Sequence, residues 1–113
     1  MTENRLPDYL AHIRQAATDA CSHVSGMSKE AWLADRRTQQ AVLMNLMIIG
    51  EAAAKVMDAY PDWAEQHHTT PWRSMRGMRN RIAHGYFEVN LDLVWETVHQ
   101  ALPQMLATLS QPG

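Results

Sequence analysis

The 113-residue sequence predicts an all-α bundle of about five helices, on three observations. Apolar residues recur at three- and four-residue steps through most of the chain, and helix-capping residues stand where those stretches begin. No stretch shows the period-two alternation of a half-buried strand. With 46% apolar content at this length, one core and one domain, residues 1–113, are expected. No internal repeat or low-complexity tract divides it.

Leu6, Leu10, Ile13, Ala17, Ala20 and Val24 share one face of a first helix from about Pro7 to Val24, which Gly26 ends. Ser28 is placed to cap a short second helix, with Met27 and Trp32 spaced as a hydrophobic staple. Asp35 can cap a third, "RRTQQAVLMNLMIIGEAAAKVMDAY", whose middle is apolar on almost every side. That helix is expected at the centre of the bundle, with Met44 and Met47 as core fillers. Asn45 and Glu51 stand out in it as polar groups for a helix or subunit contact, and Glu51 is a candidate to hold an arginine. Pro61 closes it, and "PDWAEQHHTTP" reads as an irregular connector. A fourth helix, "PWRSMRGMRNRIAH", has Pro71 near its first turn. Asn90 can cap a fifth, where Leu91, Val94, Trp95, Val98, Leu102, Met105 and Leu109 form the buried stripe and Pro103 should kink the helix or shift its register.

The net charge of −2 argues against a protein that coats nucleic acid by bulk electrostatics. The distribution says more. Between Glu65 and Glu88 no acidic residue occurs, while Arg73, Arg76, Arg79, Arg81 and three of the six histidines do. Cys21, the single cysteine, reads as a packing thiol. "MTENRLPDYL" lacks the order of a signal peptide, and the apolar run "AVLMNLMIIG" is short for a membrane span, so a cytoplasmic protein without a membrane partner is expected.

On a helical wheel Met75, Met78 and Ile82 fall within about 60°, with Arg73, Arg76, Asn80 and His84 gathered on roughly the opposite side. Asn80 is one turn before His84 and is placed to cap or orient it. Arg79 and His84 are five apart, about 140° around the axis, and do not converge easily on one small group. Either the helix loosens near Gly85 or a second copy of the chain completes the site.

The order Arg79, four residues, His84, one residue, Tyr86, with "PWRSMRGM" before it and "IIGEAAAKV" upstream, resembles the HEPN superfamily and, within it, the HepT-like toxins. The likeness runs over nearly the whole chain. It implies a HEPN-type bundle and a metal-independent endoribonuclease acting as a homodimer, with the motifs of two protomers lining one cleft. Arg79 and His84 would be the catalytic pair. The HepT branch is usually encoded beside a minimal nucleotidyltransferase, MntA, an antitoxin that attaches AMP to the motif tyrosine, here Tyr86. That adduct would sit near Arg79 and pair with it.

The side chains suit this chemistry by themselves. Metal-free RNA cleavage needs a group that moves a proton near neutral pH, the role of His84, and a guanidinium that binds two phosphate oxygens, the role of Arg79. Arg73, Arg76 and Arg81 are available for flanking phosphates. No carboxylate stands at a ligand spacing beside His84, so no metal and no cofactor are expected. A homodimer is expected on apolar surface too, since Ala41 to Ile49 with Trp63, Trp72 and Trp95 exceeds what four short helices cover. The other reading is a non-catalytic HEPN module whose cationic face binds a nucleotide or the partner nucleotidyltransferase.

Overall fold

The computed structural model describes residues 4–109; residues 1–3 and 110–113 of the expected single domain lie outside the described residues. Helix α1, Leu6–His23, carries a proline in its first turn and buries Ile13, Ala16, Ala17 and Ala20. The chain reverses through Gly26, whose φ of 75° belongs to the left-handed region that a side chain disfavours. Ser28 then accepts a hydrogen bond from the Ala31 amide at 3.1 Å and starts α2, Lys29–Ala34. Trp32 is fully buried there, and its indole N–H donates to the Leu91 carbonyl at 3.0 Å, fastening α2 to a helix 59 residues later.

Asp35 caps α3, Arg36–Ala59, by accepting from the Thr38 amide at 3.1 Å and the Thr38 hydroxyl at 2.7 Å. Those hydrogen bonds hold its carboxyl below the usual carboxylate range. Helix α3 is the centre of the bundle, flanked by α1 on one side and by α5, Trp72–His84, on the other. By length and composition its most apolar stretch, with mean hydropathy 1.3, could cross a membrane, which the shorter run read from the sequence could not. Yet 56% of that stretch is buried within the bundle, the condition of a core helix.

Two expectations about α3 need correction. Met44 is 61% exposed and Ile48 40%, so the helix is not buried on every side, and Met44 is not a core filler. Conversely, Trp72 is buried and Trp63 and Trp95 pack half-buried against the core, so the tryptophans contribute little surplus surface. The connector after α3 also differs from expectation. Pro61 occupies the first turn of a short helix α4, Pro61–Gln66, where its fixed φ is already helical and its missing N–H costs nothing. Stacking of Trp63 on His67 at 3.9 Å and a hydrogen bond from the Trp72 indole to the His67 carbonyl tie the rest of the segment down.

Asn90 accepts from the Leu93 amide and caps α6, Leu91–Glu96. The helix continues through a wide π turn, Thr97–Ala101, into α7, Leu102–Leu109. Leu102 donates to the carbonyl of Thr97, five residues back, one residue before Pro103. The register shift expected of Pro103 is this turn, which makes room for a ring that cannot donate to the normal ladder. Val94, Val98, Leu102 and Met105 stay on the core face throughout.

Candidate active site

Helices α3 and α5 meet closely at Gly50. A Cβ there would lie 2.7 Å from the Met75 carbonyl oxygen and would collide with the Cβ of Arg79. The stem of Arg79 therefore lies across the one position of α3 that has no side chain. Its guanidinium is held from two directions. Nη1 donates to Glu51 at 2.7 Å, and Nε and Nη2 donate to the side-chain amide oxygen Oδ1 of Asn80 at 3.1 and 2.9 Å. Glu51 follows Gly50 directly, so one turn of α3 admits the arginine and supplies its counter-charge.

Three of the five guanidinium donors are spent on these bonds, leaving one on each terminal nitrogen. The side chain is 24% exposed, which keeps those donors within reach of a ligand. A fixed guanidinium with two free donors can grip two oxygens of one phosphate. Asn80, expected to orient His84, orients Arg79 instead.

Helix α5 stays regular to its end. Gly85 donates to the Arg81 carbonyl at 2.9 Å, an ordinary last-turn bond, so the chain does not loosen before Gly85. Arg79 and His84 thus remain about 140° apart around the axis. His84 is exposed and, with Arg81, Glu88, Asn90 and Leu93, lines a hollow of about 390 Å³ against α6. After Gly85 a single 3₁₀ turn, Tyr86–Glu88, carries Tyr86 at 43% and Phe87 at 97% exposure. Tyr86 lines a different hollow, of about 310 Å³, with Leu33, Arg36 and Gln39. The arginine lining that hollow is Arg36, not the Arg79 that the sequence suggested.

Arg73 and Arg76 line a cavity of about 620 Å³ at the head of α5. The predicted residues are therefore distributed along one helix: two arginines at its head, the braced Arg79 in its middle on the α3 side, His84 at its end, and Tyr86 just past it. Among the described residues, Arg79 stands apart from these hollows, and His84 and Tyr86 line different ones. Sequence reasoning had Glu51 only as a candidate; the adjacent Gly-Glu pair facing an arginine helix is a signal that could have located it. Arg36 had no such signal, because it shares a hollow with Tyr86 across 50 residues of chain. Among the described residues no three His, Cys, Asp or Glu side chains come together as ligands.

Fold and residues together define a helical bundle that presents a braced arginine and an exposed histidine at a helix end, and comparison with known proteins identifies the class. Residues 13–111 match the family described as Ribonuclease HepT-like, and the chain belongs to that family. A protein of Caldanaerobacter subterraneus subsp. tengcongensis named as a candidate RNase is 35% identical over 97 residues, 86% of this chain and 84% of that one. A protein of Thermococcus cleftensis named as a probable ribonuclease HepT is 35% identical over 98 residues, covering 87% and 86% of the two chains. A candidate RNase of Methanocaldococcus jannaschii is 26% identical over 103 residues, 91% of this chain and 83% of that one. No solved structure matches this chain.

Proposed function

We propose that the protein is a metal-independent endoribonuclease that works as a homodimer and is silenced by AMP attached to Tyr86. The observation that carries this is the bracing of Arg79 by Glu51 and Asn80 with two donors to spare. A guanidinium fixed before the substrate arrives stabilises charge developing on the phosphate without having to reorganise. In the reaction a ribose 2′-oxygen attacks the adjacent phosphorus and the bond to the 5′-oxygen breaks. The 2′-hydroxyl proton is lost, one proton is given to the leaving oxygen, and the products end in a 2′,3′-cyclic phosphate and a 5′-hydroxyl. His84 is the group that moves a proton.

The second copy supplies the histidine that the helix geometry keeps from Arg79. Met44, Ile48 and Glu51 follow one another on a single outward strip of α3, so exposed apolar surface runs up to the brace of Arg79. Phe87, almost wholly exposed one residue past Tyr86, adds to it. A dimer formed on this face covers the apolar strip and brings two copies of the Arg79–Tyr86 segment to one cleft. The partner is an MntA-like nucleotidyltransferase antitoxin acting on the exposed Tyr86 hydroxyl. That oxygen attacks the α-phosphorus of ATP, pyrophosphate leaves, and the phenol proton is released. The resulting phosphodiester lies beside Arg36, which can pair with it.

The test is cleavage of RNA by purified protein in excess EDTA, with end-group analysis. Retained activity and 2′,3′-cyclic phosphate ends are expected; dependence on a divalent ion overturns the mechanism. Light scattering should give a dimer, and Ile48→Asp should shift it to monomer with loss of cleavage. The separation of Arg79 from His84 within one protomer also fits the non-catalytic binding module. Tight RNA binding by the dimer with no cleavage would establish that reading.

A further inference from the structure

A hollow of about 620 Å³ at the head of α5 holds opposite charges that do not meet. Asp58 and Glu65 line it from α3 and α4, and Arg73 and Arg76 line it from α5, yet among the described residues none of the four enters an ion pair. At about 620 Å³ the cavity has room for a nucleoside, and Met57 and Pro71 give part of its wall an apolar surface for a base. Unspent carboxylates beside unspent guanidiniums call for a ligand that offers both hydrogen-bond donors and negative charge. A nucleotide does.

Its position along α5 ties it to the proposed cleavage site. Arg73 is six residues before Arg79, about 9 Å along the axis, and Arg76 lies between them. Arg76 is also one turn from Asn80, which braces Arg79. Strand phosphates leaving Arg79 along this ridge meet Arg76 and then Arg73, and the base attached there turns into the hollow.

We infer that this cavity is a base-binding subsite that selects guanine next to the cleaved linkage, resting on the ribonuclease reading above. Guanine presents N1–H and the N2 amino group side by side, a pair of donors that one carboxylate can accept together. Adenine and cytosine each present one exocyclic amino group and uracil only one imino N–H, so none of them fills a carboxylate in this way. Asp58 or Glu65 accepts from the guanine edge while Arg73 and Arg76 hold the flanking phosphates.

The experiment measures binding separately from cleavage. Short oligouridylates with one internal guanosine, inosine or adenosine, made uncleavable by 2′-deoxy sugars, are titrated by fluorescence anisotropy against wild-type, Asp58→Asn and Glu65→Gln protein. Guanosine should bind about tenfold tighter than adenosine, with inosine, which lacks the N2 amino group, between them. At least one of the two substitutions should erase that preference while the protein keeps its melting temperature. Equal binding of the three oligomers, or a guanosine preference untouched in both variants and in the double variant, overturns the subsite. Matched ribose oligomers are scored for cleavage in parallel. Guanine selection in binding without cleavage leaves the subsite standing and removes the ribonuclease reading; cleavage without guanine selection does the reverse.

Discussion

The two flanks of α3 are built differently. Against α1 the contact is closed by small and branched apolar residues, α1 burying Ala16, Ala17 and Ala20 and α3 burying Ala52, Ala53 and Val56, and among the described residues neither helix buries a charged side chain. Against α5 the backbone comes close at Gly50, and the residue laid over it is an arginine. One flank spends its close approach on packing. The other spends it on fixing a charged group whose working end stays at the surface. A guanidinium held in this way gains little for the fold, since its partner Glu51 is 58% exposed and an exposed ion pair is worth only about 0–1 kcal/mol. What it gains is a fixed position.

The contrast can be broken most decisively at the chemical groups. Arg79→Ala and His84→Ala should each lower RNA cleavage by a factor on the order of 10² or more, while thermal melting moves by no more than about 1 kcal/mol. Cleavage within a factor of a few of wild type in either variant removes that residue from the mechanism. Gly50→Ala comes next. The added Cβ meets backbone and a side-chain root, neither of which can swing aside, so α5 must move away at a cost of about 1–3 kcal/mol, and Arg79 moves with it. Melting and cleavage should fall together. Ile13→Val on the other flank costs a similar ~1 kcal/mol but leaves cleavage per folded molecule unchanged. If Gly50→Ala is as active as Ile13→Val, the crossing does not position the arginine.

These distinctions were only partly legible in the sequence, and the division follows the range of the interactions. Caps at Ser28, Asp35 and Asn90 were readable because a side chain and an amide three residues on decide them. The effect of Pro103 was readable because a missing N–H acts within one turn. Helix α4 was missed because its six residues are too few for a period and Pro61 signals a stop as readily as a start. Met44 was misplaced for another reason: an apolar residue on a greasy helix looks the same whether it faces the core or the outside. The motif order singled out Arg79, His84 and Tyr86 as candidates, but the separation of His84 and Tyr86 into different hollows depends on α2, α3 and α6, which the spacing within "RNRIAHGY" does not encode.

A smaller effect is expected from loosening the brace without removing it. Glu51→Gln keeps a hydrogen-bond acceptor for Nη1 but removes the charge, so the guanidinium is held less firmly. Cleavage should fall about tenfold, with melting unchanged within ~0.5 kcal/mol. A variant as inactive as Arg79→Ala would show that the carboxylate does more than hold the arginine, and full activity would show that Asn80 suffices.

The smallest effect on cleavage belongs to Tyr86→Phe. Tyr86 lies beyond the end of α5, 43% exposed, with its ring edge-on to Phe87 at 5.8 Å, and its hydroxyl has no hydrogen bond to another described residue. Removing that oxygen leaves the ring, the 3₁₀ turn and the contact with Phe87 in place. It also leaves Arg79 and His84 untouched, since neither shares the hollow that Tyr86 lines. Cleavage should stay within about threefold of wild type, the range of a side chain outside the reacting groups. Silencing should change completely, because without the phenol oxygen there is no nucleophile for the proposed partner nucleotidyltransferase. Mass spectrometry of wild-type protein co-expressed with that partner should show AMP on the peptide containing Tyr86, and Tyr86→Phe should show none and remain toxic. Arg36→Ala separates the two uses of this surface. It should leave cleavage and modification intact yet let the modified protein regain part of its activity, because the adduct is no longer held in its hollow. An inactive but folded Tyr86→Phe protein would put the tyrosine among the catalytic groups; an active one still modified and silenced elsewhere would end the case for Tyr86 as the switch.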